Sequence, residues 1–211
     1  MKIKNLYILC TIPLFSLIVF QNYQLKRQLN ESFRIGLDLS QKLELDYDQA
    51  PSIGSPQARI EIIIFSDFNC PICKEATEMI ANLQRRNPGL IRFVYKHFPI
   101  EPDSLLKAKI ACGGYAQGKF WEIHDLLQAG YSGTKLEKMA SSIGVDMGEL
   151  NKEVDSGLYN GLINQDIEDA KELGIWGTPA IFINGYKVAF PNELIMEQMI
   201  KLILIKMETN D

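Results

Sequence analysis

Cys70-Pro71-Ile72-Cys73 places two thiols three residues apart, the separation of one helical turn. Thiols so spaced can close as a reversible disulfide, and a thiolate both attacks disulfides and leaves from them. An apolar run, Ile60 to Phe65, leads into the pair. The residues after Cys70 read as helix, with Pro71 at the first position, where its missing N–H costs nothing. A helix start offers unpaired N–H groups and the positive end of the helix dipole, so a thiolate at Cys70 is expected to be stabilised there. Two other chemistries use the same spacing. Half of a zinc site would need further ligands from Cys10, Cys112, His97 and His124, and none of these forms a second close pair. A structural disulfide closing so short a loop would restrain little of the unfolded chain. The spacing and its place before a helix therefore favour disulfide exchange with other proteins.

The chain has 211 residues, 46% hydrophobic and 23% charged, enough for one domain with a full core. A formal net charge of -4 gives no basic footprint, which argues against a nucleic-acid partner. Four cysteines in this length do not make a disulfide-stapled scaffold. Leu6 to Phe20 is an apolar run preceded by Lys2 and Lys4, the layout of a signal peptide or signal anchor over residues 1–22. No small-residue cleavage site follows Phe20, so residues 6–20 are expected to remain as an anchor in the inner membrane, with Cys10 an apolar filler. Disulfide chemistry behind an export signal belongs in the periplasm or cell envelope.

Residues 23–45 carry Leu25, Leu29, Phe33 and Leu37 at steps of four, a helical stalk that either packs on the domain, acts as a spacer or pairs with its own copy as a homodimer. Pro51, Gly54, Ser55 and Pro56 mark a linker, so the catalytic domain is expected over 55–211. Within it Ile60 to Phe65 is a buried strand, Pro71 to Arg86 a helix and Ile91 to His97 a second strand, with the thiols at the first strand's C-terminal end. A helical block follows over about 104–171, punctuated by Gly113-Gly114 and later glycines. Ala180 to Asn184 and Lys187 to Phe190 read as a hairpin around Asn184-Gly185-Tyr186, and Glu193 to Lys206 as a last amphipathic helix. The class is α/β.

Four segments in this order, Phe65 to Cys73, Lys96-His97-Phe98-Pro99, Gln117 to Asp125 and Gly174 to Gly185, resemble the DsbA-like thiol-disulfide oxidoreductases. The resemblance covers roughly residues 55–207 and implies a thioredoxin fold with an inserted helical domain. It further implies Cys70 as nucleophile, Cys73 as resolving thiol, and a cis Thr178-Pro179 bond facing the pair, with Pro71 and Ile72 between the thiols. Two positions depart from the family. Ile72 stands where its strong oxidants carry His, and Ile64 stands where relatives bury an acid. Asp67 is the nearest acid, expected either to serve the resolving thiol or, by preference, to make a loop hydrogen bond. Cys112 is expected to be a buried thiol and His97 and His124 packed structural residues. Phe120 and Trp121 read as core of the helical block, and Trp176 lies near the substrate surface. No cofactor and no metal site are expected. The activity implied is an oxidase that gives disulfides to cysteine-containing exported client proteins and is reoxidised by a membrane redox partner. A reductase or isomerase held reduced by a membrane partner is the alternative, and a copper-handling dithiol protein comes third.

Overall fold

The computed structural model describes residues 20, 23–24, 42–44, 47, 50–189 and 191–209. The expected anchor over 6–20 and stalk over 23–45 therefore lie almost wholly outside the described residues, as does Phe190. Among the described residues no helix is long and apolar enough to cross a membrane.

Strand β2 (Ile60–Ser66) is buried along nearly its whole length, which is why it reads as a continuous apolar run rather than an alternating one. It sits at the centre of a five-stranded sheet whose order is β1 (Ser52–Ile53), β3 (Ile91–His97), β2, β4 (Ala180–Ile183) and β5 (Tyr186–Lys187). Its parallel neighbour is β3 (Ile91–His97), in a register that sets Ile64 opposite Tyr95 and Ser66 opposite His97. Between them runs α1 (Pro71–Arg86), whose Ala76, Ile80 and Leu83 bury against the even-numbered side chains of β2. On the other side of β2 lies antiparallel β4 (Ala180–Ile183), followed by β5 (Tyr186–Lys187). Asn184 and Gly185 both have positive φ, 48° and 83°, as a two-residue hairpin turn of this twist requires. The second hairpin strand thus begins one residue earlier than its pattern suggests.

Five helices connect β3 to β4: α2 (Ser104–Ala116), α3 (Phe120–Gln128), α4 (Gly133–Ser142), α5 (Met147–Ser156) and α6 (Asn160–Glu172). Helix α7 (Glu193–Thr209) closes the chain and packs Met196, Met199, Ile200 and Ile203 into the α1 side of the core. The thioredoxin fold with a helical insertion expected from the sequence is the fold of the chain.

Two expectations are corrected by tertiary contacts. The presumed linker carries β1 (Ser52–Ile53), paired antiparallel with β3, and Ala50 is buried, so the sheet begins before residue 55. Leu43 N donates to Gly185 O at 3.0 Å, and a Cβ on Gly185 would come within 2.3 Å of Leu43 O. Gly113 and Gly114, which look like punctuation, lie inside α2. A Cβ at either would meet Leu150 or Ile123 at 2.7 Å, so they let α5 and α3 approach closely.

Candidate active site

The chain leaves the buried end of β2 at Ser66 and turns through Asp67 to Asn69 before α1 begins. The turn is fixed by one carboxylate. Asp67 is 1% exposed, and its Oδ1 accepts from Asn69 N (2.7 Å) and the Ser104 hydroxyl. Its Oδ2 accepts from Ile100 N (2.7 Å) and Glu101 N (2.8 Å). A carboxylate offers about four acceptor positions, so Asp67 is fully engaged in holding the cysteine loop to the segment that starts α2. Asn69, which sequence reasoning passed over, adds bonds from its amide to Pro102 O and Ser104 Oγ and accepts from Lys107 Nζ.

Cys70 occupies the N-cap of α1 in extended conformation (φ -84°, ψ 114°), with Pro71 following at the start of the helix. Its carbonyl accepts the first bonds of the helix, from Cys73 N at 3.1 Å and Lys74 N at 3.3 Å. The side chain is half-buried and its Sγ lies 3.6 Å from Thr178 O, donating to it. The Thr178-Pro179 peptide is cis. The two segments singled out from sequence, residues 70–73 and 178–179, therefore meet at one sulfur.

Cys73 differs from its partner. It is 0% exposed, and burial pushes its thiol up to about 12. The Thr178 side chain, the Asp67 backbone N–H and the Ser66 hydroxyl act in the opposite direction, while Cys70 adds to the rise. Cys70, Cys73 and Cys112 are all free thiols. The pair thus consists of a reachable sulfur at a helix start and, one turn on, a sulfur that reaches nothing outside the protein. Ile72, 61% exposed, and Trp176, 85% exposed, present apolar side chains on the two segments that converge at Cys70.

Cys112 is buried, its thiol likewise pushed to about 12 by burial and by Asp166, and its Sγ is 3.5 Å from His97 Nε2. His97 and His124 belong to an aromatic cluster with Phe68, Tyr95, Phe120 and Trp121, ring centroids 5.0–6.1 Å apart. Burial first, and the neighbouring His124 second, lower His97 to about 3. Phe120 and Trp121 pack onto the sheet through Tyr95 and Phe93 rather than within the helical block alone. Among the described residues no group of three or more His, Cys, Asp or Glu side chains is arranged to hold a metal ion.

A parallel β2-α1-β3 unit completed by an antiparallel hairpin, with a dithiol at the helix start and a proline loop opposite, defines the thioredoxin class of fold. The family model described as Thioredoxin matches residues 47–203, and the chain belongs to that family, with a DsbA-like architecture. A thioredoxin-like oxidoreductase from Silicibacter pomeroyi superposes with a TM-score of 0.66 at 27% identity, over 75% of this chain and 94% of that one. BdbD from Bacillus subtilis superposes at 0.70 with 18% identity, over 78% and 97% of the two chains. Among curated sequences, the Na(+)/H(+) antiporter NhaA 1 of Mycolicibacterium vanbaalenii is 29% identical over 161 residues, 72% of this chain. The chain spans only about a quarter of the length of that relative, 26%.

Proposed function

We propose that the chain is a thiol-disulfide oxidoreductase that introduces disulfides into cysteine-containing exported proteins by exchange at Cys70-Cys73. The observation that carries this is the difference in access between the two sulfurs: Cys70 is half-buried beside the Thr178-Pro179 loop, and Cys73 is sealed and held as a thiol. In the oxidised pair only Cys70 can be reached. A client thiolate attacks Cys70 Sγ, a client–Cys70 bond forms, the Cys70–Cys73 bond breaks, and Cys73 leaves and takes a proton. A second client thiolate then attacks the client sulfur of the mixed disulfide and releases Cys70. Two electrons pass from client to protein, and a membrane redox partner removes them. The apolar run at 6–20 supports a place in the cell envelope, anchored at the inner membrane, and the stepped apolar residues of 23–45 fit a spacer or packed helix first and self-pairing second.

A reductase or isomerase is the second reading, favoured by Ile72. This exposed, uncharged side chain stands where an imidazolium would help the Cys70 thiolate, so the drive to give the disulfide away is weaker. For the exchange itself the test is trapping in cells: Cys73→Ser should accumulate mixed disulfides between Cys70 and clients, and Cys70→Ser should form none. Cells carrying Cys73→Ser with no reducible adducts would refute exchange at this pair.

A further inference from the structure

Exchange requires Cys73 to lose and regain a proton in a place water does not reach freely. The sheet position opposite Tyr95, where a buried acid would serve, is Ile64, and the four acceptor positions of Asp67 are taken. What stands behind Cys73 instead is a set of polar atoms with no well-formed hydrogen bond to a protein partner. Six buried side-chain N or O atoms among the described residues lack one, and four belong to this region: Ser66 Oγ, Tyr95 OH, His97 Nδ1 and His124 Nε2. Ser66 and His97 are paired in register, and the Tyr95 ring lies 5.3 Å from both imidazoles. Ser66 acts on both Cys73 and Tyr95, so these three meet. Buried polar groups are rarely left unsatisfied, and a cluster of them is the setting in which internal water makes about three bonds.

We propose that Ser66, Tyr95 and His124 form a hydrated pocket behind Cys73 that accepts its proton when it attacks and returns it when it leaves. This rests on the exchange reading above. His124 is the acceptor. Its Nδ1 is 3.0 Å from Asp125 Oδ1, an arrangement that keeps the proton on Nδ1 and leaves Nε2 a lone pair. Its ring also lines a groove of about 420 Å³ between α1 and α3, open to solvent and shared with Lys74, Thr77, Arg85 and Asp125. His97, lowered to about 3, is a poor base. Burial keeps the Tyr95 hydroxyl protonated, so it relays and orients rather than accepts. The other titratable and charged groups facing the cluster are Asp67 from the loop, Cys112 from α2 and Lys74, Glu78 and Arg85 from α1, while Asp166 of α6 acts on Tyr95 and Cys112 only through its charge. In the step, the Cys73 proton passes through water to His124 Nε2 and the thiolate attacks Cys70 Sγ of a mixed disulfide. The Cys70–Cys73 bond forms and the client leaves as thiolate; disulfide donation runs the same path backwards. Ser66, which touches Cys73, is a catalytic residue, while Tyr95 and His124 act on the sulfur only through Ser66 and water and are positioning residues.

The test follows the reduced full-length protein mixed with excess Ellman reagent by stopped flow. Attack by Cys70 releases a first thionitrobenzoate and resolution by Cys73 a second. Tyr95→Phe, Ser66→Ala and His124→Gln should slow the second release by about tenfold or more near neutral pH, against 10²–10⁴ for a direct general base. They should also move the pH midpoint of that phase upward, converge with wild type in alkali, and leave the first release unchanged. Tyr95→Phe keeps the ring that stacks on Phe68 at 5.5 Å and so keeps the test valid should His124→Gln not fold. Wild-type rates and an unmoved midpoint in both Tyr95→Phe and Ser66→Ala would overturn the pocket. A wild-type protein showing no second release dependent on Cys73 would instead remove exchange, and the pocket with it.

Discussion

Tyr95 and Lys96 are neighbours on β3 and face opposite sides of the sheet, and the two sides bury polarity in opposite ways. On the α6 side, Lys96 Nζ pairs with Asp166 at 3.2 Å and with Asp169, lies over the Phe65 ring, and Asp166 also accepts from His97 N at 2.7 Å. Burial still raises Asp166 to about 6 against the pull of Lys96, but every charge there has a partner. On the α1 side, behind Cys73, the Tyr95 hydroxyl, Ser66 Oγ and two imidazole nitrogens make no well-formed hydrogen bond to a protein partner. A closed ionic network ties the helical insertion to the sheet and does nothing further. An open polar cluster contributes little to stability and remains available for chemistry.

That contrast can be broken by substitution on either side. Lys96→Met leaves the buried Asp166 carboxylate without its cation, beside the part-exposed Asp169, and should destabilise the fold by about 3 kcal/mol in chemical denaturation, as removing one partner of a buried pair does. A loss below about 1 kcal/mol would show that the network is not closed. A middle-sized effect comes from pH. His97 has its folded value near 3 against an ordinary 6.5, so below 6.5 the unfolded chain binds more protons and stability falls as pH falls towards 3. Asp166, near 6 against 3.8, works the other way: between 6 and 3.8 the folded chain holds more protons and gains stability on acidification. The His97 window is wider, so these two groups together should lose on the order of 2 kcal/mol on acidification. The slope of His97→Asn minus that of wild type should be positive towards acid between pH 6 and 4, and equal slopes would refute the assignment. Tyr95→Phe should be smallest, within about 1 kcal/mol of wild type, because the hydroxyl makes only a loose contact with Ser66 and no well-formed bond. A larger loss would mean that the hydroxyl is structurally bonded, which would count against an available pocket.

The parts of the fold visible in the sequence are those set by local pattern. β2 and β3 are buried apolar runs, α1 announces itself through Pro71 at its start, and the hairpin through Asn184-Gly185. β1 was illegible because two residues among prolines and glycines become a strand only by pairing with β3. Gly113-Gly114 misled because the reason for glycine there, contact with Ile123 and Leu150, lies many residues away. At the site the same division holds. That Cys70 meets the Thr178-Pro179 segment, and that this bond is cis, was legible from the resemblance. The four donors that occupy Asp67, and the meeting of Ser66, Tyr95 and His124, were not, since a missing partner is a tertiary property that no local pattern carries. The only local hint was Ser66-Asp67, a polar pair held buried at the end of an apolar strand.

The proposed direction of electron transfer between the half-buried and sealed sulfurs and their clients is tested most directly by the Cys70–Cys73 equilibrium of the full-length protein in glutathione buffers. A disulfide donor should show a reduction potential of about -120 to -150 mV. A value near about -250 mV would contradict disulfide donation and make the protein a reductase or isomerase.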